Sequence, residues 1–110
     1  MNMKKMIEAV QVQRREDGSY FHPALANSPD DESAVAFSAW LAECGVEVTR
    51  VWMEIDTAPL CARYMDDDTD ALKEWQPTTP AGADWFLLAI FDTEDDGPVA
   101  YFVRPAPAAT

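Results

Sequence analysis

Positive charge is scarce in this 110-residue sequence: eight lysines and arginines stand against twenty aspartates and glutamates, for a net charge of −12. Phosphate-directed binding needs a basic surface, so direct nucleic-acid contact is not expected. Cysteine is almost as sparse. Cys44 and Cys61 are too few for a disulfide framework or a four-ligand zinc site. His22 is the only histidine, so any Cys–His or Ser–His catalysis would have to run through it. Glycine occurs only at 18, 45, 82 and 97, which leaves no Gly-rich phosphate loop. No apolar run approaches the ~18 residues of a membrane span. The start Met1–Glu8 has the basic residues of a signal peptide, but Glu8 interrupts the stretch where an apolar core would follow. These lacks lead to the expectation of a protein of the reducing cytoplasm, with no membrane partner.

What is present suffices for a core. Apolar residues make up 48% of the chain and aromatics 11%, values too high for a disordered acidic chain. A domain of this length removes roughly two thirds of its unfolded surface from water. One domain is expected over 1–104, followed by a low-complexity tail, 105–110, reading Pro-Ala-Pro-Ala-Ala-Thr. Charge is uneven along the chain. Lys4, Lys5, Arg14 and Arg15 face only Glu8 in the first fifteen residues, while Arg50, Arg63, Lys73 and Arg104 are the only cations in the rest.

The periodicities predict an α+β fold of order β-β-α-β-(α)-β-β, an antiparallel-rich sheet of four or five strands with one main amphipathic helix on one face. Partial alternation over Met6–Arg14 suggests a first strand, Asp17-Gly18 a hairpin turn, and Tyr20-Phe21-His22 its return before Pro23. The helix is expected from about Pro29 to Cys44. Ser28 would cap it, Asp30, Asp31 and Glu32 would meet its dipole, and Gly45 would stop it. Ala34, Phe37, Trp40, Leu41 and Cys44 fall within an arc of roughly 120° that should face the core. Val46–Ile55 reads as a strand whose cleaner apolar face is Thr49, Val51, Met53 and Ile55. Short helical turns fit Pro59–Met65 and Thr69–Trp75, with Asp66-Asp67-Asp68 between them. Gln76–Asp84 must be a loop. Its Pro77-x-x-Pro80 allows a polyproline ligand, but a loop pinned at both ends by Trp75 and Trp85 is simpler. Trp85–Phe91 and Val99–Val103 complete the sheet, joined by a turn at Asp95-Asp96-Gly97-Pro98.

Two acidic clusters stand out as candidate partner-binding residues: Asp66, Asp67, Asp68 and Asp70, and Glu94, Asp95 and Asp96. Unlike the acids at the helix start, they have no structural role evident from sequence, and their mutual repulsion is a cost that folding alone does not require. The stretch from Trp75 through Pro77, Pro80, Gly82 and Trp85-Phe-Leu-Leu88, followed by Asp92-Thr-Glu-Asp-Asp-Gly-Pro98, resembles the C-terminal half of small uncharacterised proteins of temperate phages and prophages. Those similar proteins share a helix core like Ala39-Trp40-Leu41-Ala42-Glu43; the doubled Asp95-Asp96 departs from their pattern. The resemblance implies a mobile-element origin and a host-cell setting, and it brings no activity or cofactor. The expectation is a non-enzymatic phage protein that binds a host or phage protein with a basic surface. One form of this is a DNA-mimicking inhibitor of a host defence system, of anti-CRISPR or anti-restriction type. The alternative is an accessory interaction or structural protein whose acidity serves only solubility. A homodimer is compatible with either.

No catalytic, cofactor or metal residues are assigned from the sequence. Cys44 lies on the apolar helix face, and Cys61 sits among acids that would raise its thiol pKa. Carboxylate pairs abound, but a chain this short leaves little room for a glycosidase-type cleft. Asp92–Gly97 opens like a calcium-binding EF-hand loop, yet Pro98 occupies the seventh position and Val103 the twelfth, where a bidentate glutamate belongs. Asp66–Asp70 fails likewise, with Ala71 at the glycine position and Pro77 at the closing one. Calorimetry with calcium should therefore show nothing tighter than millimolar; a micromolar one-to-one isotherm would overturn this reading.

Overall fold

The computed structural model describes residues 7–27, 34–93 and 96–106. Its centre is a four-stranded sheet in which every pairing is antiparallel. The strands are β1 (Tyr20–Phe21), β2 (Val46–Trp52), β3 (Phe86–Thr93) and β4 (Gly97–Pro105), in the spatial order β1-β3-β4-β2. Helices α1 (Ala34–Glu43), α2 (Met53–Asp56), α3 (Ala58–Met65) and α4 (Asp70–Glu74) complete an α+β fold, with a 3-10 turn at Pro23–Asn27.

The sheet is covered on both faces. Side chains alternate along a strand, so neighbours in β4 point opposite ways. Phe102 and Ala100 join Tyr20, Ile90, Met53, Cys61, Leu72 and Trp75 in one buried cluster, on the side of α2, α3 and α4. Val103 joins Ile7, Leu41, Cys44, Val46 and Leu88 in a second, on the side of α1. The β3–β4 register slips between Leu87 and Ala89, leaving Leu88 as an extra residue in β3. The bulge lets Leu87 and Ile90 serve the first cluster while Phe86 and Leu88 serve the second. Unbroken apolar sequence is what such a two-faced strand requires.

The α1 face matches its periodicity. Leu41 and Cys44 are buried, and Phe37 and Trp40 pack half-buried against the same cluster. Gly45 takes the left-handed conformation (φ 74°) that ends the helix, and its N–H donates to the Ala42 carbonyl at 3.0 Å. The expected cap at Ser28 and the acids Asp30, Asp31 and Glu32 lie outside the described residues.

Two sequence expectations are corrected. Residues 7–15 do not form a strand; Val10 and Val12 are exposed, and β1 pairs with β3 rather than with the preceding segment. Apart from the backbone bonds of the turn at its end, the segment is held by side chains. The Arg14 guanidinium donates to the carbonyls of Gly18 (2.9 Å), Trp75 (2.5 Å) and Leu72 (2.5 Å), closing the C-terminal end of α4. His22 Nε2–H donates to the Glu8 carbonyl at 2.6 Å. The Asp17-Gly18 turn does form, with the Arg15 N–H donating to the Ser19 carbonyl at 2.8 Å and the Gly18 N–H to the Arg15 carbonyl at 2.9 Å, but no strand pair continues from it. Gly18 (φ 94°) lies so close to α4 that a Cβ would fall 2.6 Å from the Lys73 nitrogen, so the turn also docks on α4. The second correction concerns β2, which stops at Trp52. Met53 turns into α2 and is fully buried, while Ile55 is 83% exposed instead of lying on an apolar strand face. The turn carries Asp56 to the indole of Trp75, where its Oδ2 accepts from Nε1 at 2.9 Å.

The helical turns expected at 59–65 and 69–75 are present as α3 and α4, and Gln76–Asp84 is a loop. Pro105 still belongs to β4, opposite Val46, and Ala106 N–H donates to the Gly45 carbonyl at 2.8 Å. Because Leu41 sits at the centre of the α1 contact, Leu41→Ala should destabilise the domain by about 2–5 kcal/mol in denaturant titrations. Ala42→Ser, on the exposed side of the same helix, should stay within about 0.5 kcal/mol.

Candidate functional site: an acidic face around α3

Helix α3 ends in a Schellman motif built from aspartates. Asp67 takes the left-handed position (φ 71°) usually given to glycine; its N–H donates to the Tyr64 carbonyl at 3.1 Å, and that of Asp68 to the Arg63 carbonyl at 3.0 Å. Asp66 and Asp67 are both exposed, and neither carboxylate meets a cation among the described residues.

Asp68 and Asp70 differ from the expectation that these acids lack structural roles. Asp68 Oδ2 accepts from Arg63 Nε at 2.9 Å, and its Oδ1 accepts from the Asp70 N–H at 3.2 Å as α4 begins. The same Arg63 reaches Glu74 with two parallel bonds of 3.0 and 2.8 Å, and Asp70 lies 3.3 Å from Lys73 Nζ. Arg63 is thus a hub that fixes the angle between α3 and α4. The bond to Arg63 holds the Glu74 carboxyl below its ordinary pKa. These groups are solvated, so each pair contributes little, on the order of 0–1 kcal/mol. Their effect is to cancel charge where the sequence showed only an acidic run.

The β3–β4 turn comes to the same helix. Asp92 accepts from the Tyr64 hydroxyl at 2.9 Å, and Thr93 Oγ1 donates to the Gly97 carbonyl at 2.8 Å while accepting from the Asp96 N–H at 3.0 Å. Asp96 shares a groove with Glu54 of α2 and with Met65 of α3. Two candidate clusters far apart in sequence therefore converge on one helix through Asp66, Asp67 and Asp96. Glu94 and Asp95 lie outside the described residues.

The groups considered for chemistry are occupied or buried. Because His22 Nδ1 accepts from the Ala24 N–H at 2.9 Å, its proton resides on Nε2, which binds Glu8. Cys44 and Cys61 are free thiols, both buried. Burial raises both thiol pKa values, assisted at Cys61 by Glu54 and Asp92. Among the described residues, no three histidine, cysteine or carboxylate side chains gather to hold a metal ion, and no helix is long and apolar enough to cross a membrane.

The loop between the tryptophans is pinned as its flanking indoles suggest. Trp75 is fully buried, and Trp85 Nε1–H donates to the Ala81 carbonyl at 3.0 Å with the Arg104 guanidinium 4.4 Å from its ring centre. Asp56 also accepts from the Thr78 N–H at 3.1 Å. Burial would raise its carboxyl pKa, but the bonds from Thr78 and Trp75 prevail and hold it below the ordinary value. Sequence reasoning missed Asp56 and Arg63. The signal for Arg63 was its place as the only cation between Arg50 and Lys73, flanked by acids.

No family model matches the chain, and neither a curated protein nor a solved structure matches it.

Burial, the bond to Asp92 and the charge of Asp92 push the Tyr64 phenol up to about 12. Its protonated form is favoured in the folded state, so the linked stability is complete below the ordinary value of 10.0 and is lost as pH rises toward 12. Tyr64→Phe should be less stable than the parent at pH ~8, with the gap closing above pH ~10. Chemical denaturation across that range, with ultraviolet phenolate titration, checks this; a pH-independent gap would show that the bond does not form.

Proposed function

We propose that this chain is a non-enzymatic binding protein that engages a basic surface of another protein through the acidic face around α3. One observation carries the reading: Glu54, Asp66, Asp67, Asp92 and Asp96 surround a single short helix, and no cation among the described residues offsets them. The described cations are engaged elsewhere. Arg63, Lys73 and Arg104 hold Asp68 and Glu74, Asp70, and Glu47; Arg14 holds carbonyls; Arg15 and Arg50 lie over the rings of Phe21 and Tyr101. A concentrated negative field steers a basic partner and fixes its orientation.

The resemblance to temperate-phage proteins favours a finer form of this reading, in which the partner is a DNA-binding component of a host defence system and the acids stand in for phosphates. The local pairing of Asp68 and Asp70 favours the other form, an accessory phage protein whose acidity mainly serves solubility.

The test uses Asp66→Lys, Asp67→Asn and Asp96→Lys together. Asparagine at 67 keeps a residue that tolerates the left-handed backbone, and Asp68 is left in place because it holds Arg63. Thermal melting should change little. Proteins captured from host-cell lysate by the parent should be basic at their contact surface, released by salt, and displaced by duplex DNA if the acids imitate phosphates. Partner affinity should fall and lose its salt dependence in the variant. Unchanged affinity and salt slope would end the acidic-face reading.

A further inference from the structure

Beside α3 lies a shallow groove of about 330 Å³, lined by Glu54, Ala58, Cys61, Ala62, Met65 and Asp96. Its floor follows helical spacing: residues 58, 61, 62 and 65 form one apolar stripe along α3. Only Cys61 in that stripe is buried; Ala58 and Ala62 are exposed, and Met65 is 65% exposed. Ile55, next to the rim residue Glu54, is 83% exposed. Of the two most exposed large apolar side chains among the described residues, Met65 lines this groove and Ile55 follows its rim residue Glu54 in the chain.

The rim has one sign of charge. Glu54 and Asp96 are exposed and have no cationic partner among the described residues. The field of Glu54 reaches the floor: after burial, Glu54 and the neighbouring Asp92 raise the Cys61 thiol pKa. An apolar trough rimmed by carboxylates complements a side chain with an aliphatic stem and a cationic head, the chemistry of lysine and arginine. Anionic ligands are repelled by the rim.

Resting on the acidic-face reading above, we propose that this groove docks a lysine or arginine from a basic amphipathic segment of a partner protein. The stem lies along Ala58, Ala62 and Met65, and the cation sits between Glu54 and Asp96. Ile55 contacts an apolar neighbour on the same segment. The groove supplies the short-range fit, and the acids of the α3 face supply the long-range attraction.

Fluorescence anisotropy with a fluorescein-labelled dodecapeptide of alternating lysine and leucine tests this, at about 50 and about 300 mM NaCl. The parent should bind with a clear salt dependence. Met65→Ser should weaken binding about fivefold at both salts with the salt slope retained. Glu54→Gln with Asp96→Asn should weaken it mainly at low salt and flatten the slope. Ala62→Arg, which places a tethered cation in the groove, should block binding while leaving the melt unchanged, since residue 62 is exposed. If the peptide binds with a salt slope and all these variants behave like the parent, the groove assignment is wrong and the acidic-face reading stands. If the parent does not bind the peptide even at low salt, both fail.

Discussion

Burial of both faces of the β3–β4 ladder is the constraint from which the rest of the architecture follows. These central strands exchange their longest register with each other and with β2, and they carry Leu88, Ile90, Val99 and Val103 with no exposed surface. A two-faced strand needs a cover on each side. Among the described residues, one longer helix, α1, covers the first face and three short ones the second. Short helices have little intrinsic stability, so they depend on what they bury and on side chains that satisfy their ends. Met53, Cys61, Leu72 and Trp75 supply the first need. Arg14 supplies the second at α4, from fifty-eight residues away along the chain.

This division explains why the acids gather where they do. Only the outer sides of α2, α3 and their connections are free to be polar, because their inner sides are committed to the sheet. The β3–β4 turn projects from the same edge and brings Asp92 and Asp96 against α3. Charge separated by some thirty positions in sequence therefore accumulates on one face. Arg63 draws Asp68 and Glu74 together and Lys73 pairs with Asp70, which leaves Asp66, Asp67 and Asp96 without a cationic partner among the described residues. The candidate surface is thus a by-product of how the second layer is built, and a partner that used it would read the outer face of α3 together with the turns that border it.

The fold class was legible because long periodic segments carry their own signal: α1, β3, β4 and the stop at Gly45 follow from spacing and a left-handed glycine. Short segments were less so. Residues 7–15 alternate like a strand, but alternation cannot reveal that Arg14 and His22 anchor that segment through backbone carbonyls of distant residues. Ile55 continues the β2 pattern, yet the backbone turns to bury Met53 and place Asp56 under Trp75. The acidic clusters were visible as composition. Their division into paired Asp68 and Asp70 and unpaired Asp66, Asp67 and Asp96 depends on where Arg63 and Lys73 point, which spacing alone leaves open.

The two cysteines sit on opposite sides of the sheet, Cys44 in the cluster under α1 and Cys61 in the cluster under α3. No disulfide can join them while the sheet is intact, so oxidation within one molecule would require its dismantling. In a folded molecule the thiols are independent reporters of the two covering layers. A thiol-specific reagent reaches Cys44 when the α1 layer lifts and Cys61 when the α3 layer does. The relative labelling rates would then reveal which half of the molecule breathes more readily, and a partner seated on the acidic face would slow one rate and leave the other unchanged.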